Sequence, residues 1–531
     1  MAKWRDIRAM LLDVVAQHET SVVFHEKREG FYQTVSYGRL LEDVSALDTV
    51  LAARFARDMR VLLLGKDSVM RTTVLLALLC GGYHVVLPTG KNDAAVAAAA
   101  LRTGAAAVIY DEDNAALAAA LAPALPMVAM AELPDAIRAG REAIKAGEAA
   151  FFEATLDPQA PVISFCGKVE YSFSMEALLI AIGALTAAQE ITEQDIFLST
   201  LPPAAKDAVL MGLLAPLSVG ASIAFGEGID KLMTNLREVH PTTLLTVPYI
   251  AERIHDKFFA LVAGNGTEAA VRRAIAASDP VRPLAARQAL KERLLLTARR
   301  PFGGSLRRIL TVGGQLPAAK TKGLRQIGVH AAAIYTVPFI AGAVAMTTPQ
   351  RYLDGTVGAV VKPVAVSLIA PRADGAGEVC LCGKTLALGL TDGRMTGDIA
   401  RFDAEGNLSL IGRAAHRIVL GGDDFVCPEE LEAKLLQSPL VADAAVLLLP
   451  QGIGELAALI RPNDAVVEEM LGEAYSEEEV TYALDEWIEE INRSLPAAHR
   501  LAHFALLDED LPRDRLGNLK RNDFGEFLKG F

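Results

Sequence analysis

The feature that most constrains the fold is a long alternation of short apolar, β-prone runs with helical patterns, from Val61 to about Pro450. Such alternation is typical of α/β layers with largely parallel sheets, because a parallel crossover needs a helix to return the chain. The fold class that we predict is therefore α/β. The apolar runs are VLLLG from Val61, HVVLP from His84, AAVIY from Ala106, PMVAM from Pro126, ASIAF from Ala221 and TLLTVP from Thr243.

The length of 531 residues exceeds what one hydrophobic core supports, so we expect at least two domains. We predict a large N-terminal region of layered α/β sheets at 1–412 and a small, mobile α+β domain at 413–531. The second region contains two short predicted strands, at 444–449 and 455–460, and a helix that a capping box of Ser476 and Glu479 begins.

Charge and cysteine content exclude several classes of protein. The formal net charge of -13 argues against a nucleic-acid partner, since phosphate binding depends on Lys and Arg. Five scattered cysteines are too few for a disulfide framework and favour a reducing compartment, so we expect a cytoplasmic protein. The most apolar stretches, 175–186 and 210–225, are shorter than the roughly 20 residues of a membrane span, and we predict no transmembrane span.

The most specific motif is MTGDIARFDAEGNLSLIGRAAHRIVLGGDDFVCPEELEAKL at 395–435. It resembles the adenylate-forming superfamily of acyl-CoA synthetases, in which TGD, a short strand, GR, a glycine turn and PExxE follow in this order. Asp398 is an acceptor-only carboxylate and Arg413 a fixed fork of donors. Alone, each would be an ordinary surface charge. The resemblance implies that together they clamp the ribose of a bound nucleotide.

A second segment, LRRILTVGGQLPAAK from Leu306, looks like the family's segment that lies along the adenine or acyl part of an adenylate. Gly313 and Gly314 would let the backbone approach a ligand closely, with Gln315 beside them. A lone Gly-Gly is otherwise an ordinary strand-to-helix turn. A predicted helical insertion at 254–308, with PFGGSLRRI at its end, looks most like the long-chain fatty acyl branch of the family.

The family's phosphate loop is shortened in this sequence. Family members cradle ATP phosphates on TSGTTGxPKG, whose glycines expose backbone N–H groups to anionic oxygens. The matching place reads APVISFCGKVEYSFSMEALL, with a predicted strand at 162–164 and a helix from Met175. Of the loop only Gly167 and Lys168 remain. Lys168 is a candidate phosphate ligand, and the alternative is an exposed loop lysine.

The family motif YGxTE supplies a hydroxyl to the adenylate phosphate and a carboxylate that binds Mg²⁺. Here the run is YTVPF from Tyr335, and Tyr335 is the residue that the resemblance assigns to nucleotide binding. Pro338 offers neither a hydroxyl nor an N–H. Phe339 cannot ligate a hard cation, which takes oxygen donors. These replacements argue against magnesium binding.

The near-terminal family motif GKxxR reads GNLKR from Gly517. Its Lys would reach the carboxylate and the α-phosphate during adenylation, but Asn518 is neutral. Lys520 lies two residues on, so in a strand it would point to the same face. Lys520 and Lys168 are therefore the candidate catalytic residues. The His or aromatic residue of a further motif, LPLxH, is replaced by Ala205.

The leading hypothesis is an acyl-CoA synthetase-like protein of the AMP-dependent ligase family, a pseudoenzyme that keeps a nucleotide or acyl pocket but is impaired in adenylation. The loss of one electrostatic donor aimed at a transition state costs about 3 kcal/mol, and several are missing here. Candidate ligands are ATP or AMP, CoA and an acyl group, and a protein partner or acyl carrier is a further candidate. No metal site is predicted, since Cys380 and Cys382 lack a second pair of ligands.

Two alternatives stay open. The first is an active long-chain fatty acid–CoA ligase, which would convert acid, ATP and CoA through an acyl-adenylate with Lys520 or Lys168 contacting phosphate. The second keeps only thioester formation from a preformed acyl-adenylate. A serine hydrolase is not supported, because no GxSxG motif is present.

Overall fold

The computed structural model describes the chain except for residues 1–2, 91–94, 97–98, 100–101, 122–124, 149, 265–301, 391, 422–423, 450–454, 473–474, 514–518 and 525–531. Most of the helical insertion predicted at 254–308 therefore lies outside the described residues. The same holds for Asn518.

The described residues contain a nine-stranded sheet whose order is β15-β14-β13-β12-β11-β9-β10-β1-β2. The strands from β13 to β1 pair in parallel, and the strands at both ends add antiparallel pairs. The bounds are β1 Val22–Arg28, β2 Phe31–Ser36, β9 Ile196–Ser199, β10 Ser222–Ala224, β11 Thr243–Thr246, β12 Arg308–Val312, β13 His330–Tyr335, β14 Ala345–Met346 and β15 Ala359–Val360.

A six-stranded sheet of order β6-β5-β3-β4-β7-β8 is likewise parallel except for its edge pair β7–β8. All six apolar runs predicted as strands are confirmed, four of them in this sheet and two in the nine-stranded one. The bounds are β3 Arg60–Leu63, β4 His84–Pro88, β5 Ala107–Tyr110, β6 Met127–Ala129, β7 Pro161–Cys166 and β8 Glu170–Ser174.

Helices cover the faces of these sheets, which explains why the central strands are apolar on both sides. Leu236, Ile250 and Leu324, from three different helices, pack with Leu244 and Ile309 of the nine-stranded sheet. The α-helices of the described residues are α1 Ile7–His18, α2 Tyr37–Arg54, α3 Val69–Gly81, α4 Ala115–Leu121, α5 Leu133–Lys145, α6 Ala150–Glu153, α7 Met175–Ala188, α8 Ala215–Leu217, α9 Leu232–Val239, α10 Pro248–Gly264, α11 Ala318–Gln326, α12 Pro428–Leu435, α13 Asp464–Leu471 and α14 Glu477–Arg493.

The C-terminal part has smaller sheets, of orders β16-β17-β18-β19, β20-β21 and β22-β23-β24 in the described residues. The predicted strands at 444–449 and 455–460 are observed as β22 and β23, with slightly different bounds. The capping box of Ser476 and Glu479 is confirmed at the start of α14. The bounds are β16 Ala365–Ile369, β17 Gly377–Cys382, β18 Arg394–Phe402, β19 Leu408–Arg413, β20 Ile418–Gly421, β21 Asp424–Val426, β22 Val441–Leu448, β23 Leu456–Pro462 and β24 Leu501–Leu506.

The chain divides into two compact units. The first comprises Met1–Ala365 and Cys382–Arg394, and the second comprises Val366–Leu381 and Met395–Phe531. The boundary that we predict at 412 falls inside the second unit, near the end of β19, and stays a prediction. Among the described residues, no helix is both long and apolar enough to cross a membrane.

Candidate ligand site

The carboxyl ends of β9, β11, β12 and β13 lie side by side, because these strands are parallel neighbours in the first unit. In open α/β sheets, ligands bind outside the carboxyl ends of the strands. The segments at this edge include Gly313, Gly314 and Gln315 after β12, and Tyr335 at the end of β13. The structure thus places at one edge four of the five first-unit residues that the sequence assigns to ligand binding, Lys168 being the fifth, and their binding role stays a prediction.

Gly313 is the residue at this edge that most needs to be glycine. Its φ is +85°, in the left-handed region that a side chain disfavours, and the space where a Cβ would stand is open. The Gln315 amide donates a hydrogen bond to the carbonyl of Gly355, so its orientation is held by a loop beyond β14. Tyr335 is buried. The turn therefore leaves open space beside the backbone of Gly313.

A polar network that the sequence analysis missed crosses the same edge. The Thr336 hydroxyl donates to Asp207 Oδ2 at 3.0 Å, and Lys206 Nζ donates to Asp207 Oδ1 at 2.8 Å. The Lys206 side chain is only 7% exposed and that of Asp207 18%. The signal available in the sequence was a pair of adjacent charged residues, Lys206 and Asp207, directly before a long apolar run. Here the side chain of Asp207 bonds across the sheet edge and does not cap the π-helix Ala208–Leu214 that follows.

The segment between β7 and α7 is a tight hairpin. Cys166 pairs with Glu170 across the two strands, so that residues 167–169 alone form the turn. The Gly167 N–H donates to the Val169 carbonyl at 3.2 Å, which uses that amide within the turn itself. Lys168 is exposed. The hairpin therefore has no room for a loop of successive amides around phosphates.

Phe339 packs against this hairpin. Its side chain is buried, with its ring 6.0 Å from the ring of Tyr171 in β8. The Arg394 guanidinium lies 5.9 Å from the centre of the same phenyl ring. A phenyl ring offers no oxygen ligand, so the residues at this position do not fit a magnesium ion.

In the second unit, Asp398 and Arg413 are directly opposite each other on β18 and β19. Arg413 Nε lies 3.0 Å from Asp398 Oδ1, and the Arg413 side chain is 61% exposed whereas that of Asp398 is 10% exposed. The carboxylate is thus held beneath a guanidinium whose remaining donors face outward. This arrangement suits a hydroxyl-rich ligand, since both a fixed acceptor and a fork of donors are present.

The chain near Lys520 is anchored to the second unit by Arg521. Both terminal nitrogens of Arg521 donate to the carboxylate of Glu432 at 2.8 Å, and Glu432 also accepts from the Val446 N–H at 2.8 Å. Phe524 is buried against the sheet. Lys520 directly precedes these two anchors and is exposed, which leaves its ammonium accessible.

Comparisons with known proteins agree with this geometry. Residues 173–391 match the family model described as AMP-binding enzyme. Long-chain-fatty-acid–CoA ligase ACSBG1 of Mus musculus is 26% identical over 288 residues, 48% of this chain and 39% of its own length. Long-chain-fatty-acid–CoA ligase FadD15 of Mycobacterium tuberculosis is 25% identical over 325 residues, which are 55% of this chain and 53% of its own length. The matches therefore span about two fifths to a half of these relatives.

Solved structures extend the likeness over the whole fold. The anthranilate CoA ligase AuaEII, in complex with anthranoyl-AMP, has a TM-score of 0.72 at 17% identity, and covers 98% of this chain and 97% of its own. ATP-bound MatB from Rhodopseudomonas palustris has a TM-score of 0.72 at 18% identity, and covers 100% and 99%.

The chain has the fold of the adenylate-forming acyl-CoA ligases, and its residues 173–391 match their AMP-binding model. Tyr171 of the hairpin contacts Phe339, so the turn at 167–169 and Phe339 lie near each other. That Phe339 replaces the magnesium carboxylate of the YGxTE motif, and that the turn replaces the phosphate loop, stay predictions. Among the described residues, no group of three or more His, Cys, Asp or Glu side chains is placed to hold a metal.

Proposed function

We propose that this adenylate-forming protein binds a nucleotide or acyl ligand but is impaired in ATP-dependent adenylation. The observation that carries the proposal is the packing of the Phe339 ring against the Tyr171 ring, whose centres are 6.0 Å apart. The buried Phe339 ring, packed against the half-buried Tyr171, occupies the position from which the resemblance would have an anionic oxygen reach the metal. Removing a charged phosphate from water costs free energy unless a cation or hydrogen-bond donors compensate its charge, and aromatic carbons provide neither.

The binding part of the proposal rests on residues that suit a ligand. The open space beside Gly313 supports close approach of a flat group to the backbone. The cross-strand pair of Asp398 and Arg413 supports recognition of a ribose. AuaEII was solved with anthranoyl-AMP and MatB with ATP. These two complexes support a nucleotide as the first ligand to test with the present protein.

An ATP–pyrophosphate exchange assay over a panel of fatty and aromatic acids tests the catalytic part. We expect exchange at the level of the reaction without protein. Robust exchange with any acid would overturn the proposal. Thermal-shift titrations with AMP, CoA and acyl-CoA test the binding part, since a ligand that binds only the folded state raises Tm with concentration. No shift with any of the three would overturn that part.

A second candidate is an active long-chain fatty acid–CoA ligase. It is favoured by the curated relatives, which are long-chain-fatty-acid–CoA ligases, and by the exposure of Lys520 beside the anchored Arg521. This candidate predicts thioester formation from fatty acid, ATP and CoA that is abolished in Lys520→Ala and kept in Lys434→Ala, a control from the same unit. Thioester formation only from a supplied acyl-adenylate would instead indicate that the second half-reaction alone remains.

A further inference from the structure

Arg394, Lys168 and Arg102 lie around the packed rings of Phe339 and Tyr171 in the first unit. The Arg394 guanidinium is 5.9 Å from the centre of the Phe339 ring, within the range of a cation–π contact. Lys168 stands in the turn of the hairpin whose second strand carries Tyr171. Arg102 donates a hydrogen bond at 2.6 Å to a backbone carbonyl of the same turn. Within the described parts of the chain, none of these three cations forms an ion pair with an acidic side chain.

The segment Cys382–Arg394, which belongs to the first unit, connects these groups. Its Ala387 N–H donates to the Phe339 carbonyl at 2.9 Å, and its Leu388 N–H donates to the Ser172 carbonyl of β8 at 2.8 Å. The segment is thus hydrogen-bonded both to the residue that contacts the guanidinium and to the hairpin. These main-chain contacts bring the guanidinium and the hairpin to one place.

The charge in this place is positive. The two carboxylates of the hairpin and of the helix that follows it, Glu170 and Glu176, are paired with Arg60 and Lys384. Asp392 is exposed, and its carboxylate accepts a hydrogen bond from a backbone N–H at 3.0 Å. One exposed carboxylate does not balance three cations. An anion that approaches the rings therefore meets a net attraction.

An arginine in this position offers donors that need no metal ion. Arg394 is exposed, so its donors are accessible to a ligand from solvent. A guanidinium is always charged in proteins, and it binds phosphate through two parallel N–H···O bonds. Phe339 follows Tyr335, the last residue of β13, by four residues, so it lies within about 14 Å of the end of that strand. The cations therefore lie beside the proposed ligand edge.

We propose that Arg394, assisted by Lys168 and Arg102, binds the phosphate of a nucleoside monophosphate without a metal ion. The proposal rests on the proposed function, because it concerns the nucleotide of the same site. Where the resemblance has a carboxylate that holds Mg²⁺, this chain has Phe339 and, beside it, a guanidinium that carries the positive charge itself. A phosphate monoester carries about 1.5 to 2 negative charges at neutral pH, which the three cations compensate. These groups supply no metal ion for the departure of pyrophosphate, in keeping with impaired adenylation.

Isothermal titration calorimetry of the full chain with AMP and with adenosine, both in EDTA, tests the proposal. In the unmodified protein we expect AMP to bind at least about tenfold more tightly than adenosine, since hydrogen bonds between charged groups have that strength. Replacing EDTA by Mg²⁺ should leave the Kd of AMP unchanged. In Arg394→Gln we expect the preference for AMP to fall below about threefold. Arg394→Lys, which keeps the charge but loses the planar fork of donors, should keep an intermediate preference.

Arg417→Gln is the matched control. Arg417 is an exposed arginine of the second unit whose guanidinium lies 5.8 Å from the centre of the Phe425 ring. Its substitution removes the same charge and the same kind of contact elsewhere in the chain, so this variant should keep the preference of the unmodified protein. A loss of preference in Arg417→Gln equal to that in Arg394→Gln would overturn the proposal.

The other outcomes separate this proposal from the proposed function. If the unmodified protein binds adenosine as tightly as AMP, if Arg394→Gln keeps the preference, or if AMP binds only with Mg²⁺, the role of Arg394 is wrong while nucleotide binding stands. If neither AMP nor adenosine binds, nucleotide binding itself fails and the role of Arg394 fails with it.

Discussion

At the scale of single residues, burial controls the charge of His84. Its side chain is buried within the six-stranded sheet, and Nε2 lies 2.7 Å from Ser164 Oγ. Burial, with added repulsion from Arg60, lowers the pKa of His84 to about 4. The neutral imidazole is therefore the form that the folded chain holds, whereas the unfolded chain takes up a proton near pH 6.5.

The pH dependence of stability follows from this difference. Between about pH 6.5 and 4 the unfolded state binds the proton and the folded state does not, so the free energy of unfolding falls as pH falls through this window. In His84→Gln we expect a smaller fall across the same window, measured by urea unfolding at several pH values. His503→Gln, at an exposed histidine that pairs with Glu455, should keep the fall of the unmodified protein. Equal falls in all three proteins would contradict the assignment.

Burial also determines how much the ion pair of Arg521 and Glu432 contributes to the free energy of unfolding. Burial raises the pKa of Glu432, and the bidentate guanidinium opposes that rise. Arg521→Met would leave a buried carboxylate without its partner, so we expect a loss of about 3–5 kcal/mol of unfolding free energy in urea. The control Arg493→Met breaks an exposed pair with Glu489 and should cost less than about 1 kcal/mol. Similar losses in both variants would show that burial of Glu432 does not matter.

At the scale of elements, local capping explains where several helices begin. Ser174, Ser36 and Ser68 each accept a hydrogen bond from the third residue beyond them. Ser476 does the same, and its own backbone N–H donates a hydrogen bond to the Glu479 carboxylate. These contacts satisfy N–H groups that have no partner within the helix. A few consecutive residues therefore determine where each of these helices begins.

The cap of α14 can be tested on its own. In Ser476→Ala we expect a loss of about 1 kcal/mol of unfolding free energy, because alanine lacks the hydroxyl that accepts from the Glu479 N–H and donates to the Glu479 carboxylate. Glu478→Ala changes an exposed residue of the same turn that takes no part in the capping box and should lose less. Urea titration of both variants gives the comparison, and a loss in Ser476→Ala no greater than that in Glu478→Ala would count against the cap.

At the scale of the whole molecule, the fold keeps the framework of an adenylate-forming protein while particular positions in it have changed. The nine-stranded sheet and its parallel carboxyl edge are present. Under the proposed function, the aromatic contact of Phe339 with Tyr171 and the short turn at 167–169 stand in place of the groups that would receive a triphosphate with its metal.

This difference predicts how nucleotides act on the protein. If the fold binds nucleotide without a metal ligand at Phe339, magnesium should add nothing to the stabilisation by ATP. We expect the Tm in ATP to be the same with Mg²⁺ as with EDTA, and the Tm in AMP to be raised at least as much as in ATP. A Tm that rises only when ATP and Mg²⁺ are both present would contradict the prediction.

The sequence by itself determined the features that depend on neighbouring residues. Six strands and the capping box of α14 follow from local patterns, and the pairing of Asp398 with Arg413 was implied by the resemblance of the motif around them. The prediction that Phe339 replaces a carboxylate also needs only the sequence of the motif around it.

Only the tertiary structure decided which distant residues meet. Asp207 and Thr336 are 129 positions apart, and Arg521 and Glu432 are 89 apart, so no local period or motif relates them. Such contacts depend on strand order and on how far each turn extends, which are properties of the packed sheet. For this reason the prediction about Phe339 could be made from the sequence alone. The position of Lys206 and Asp207 at the carboxyl edge of the sheet was visible only in the fold.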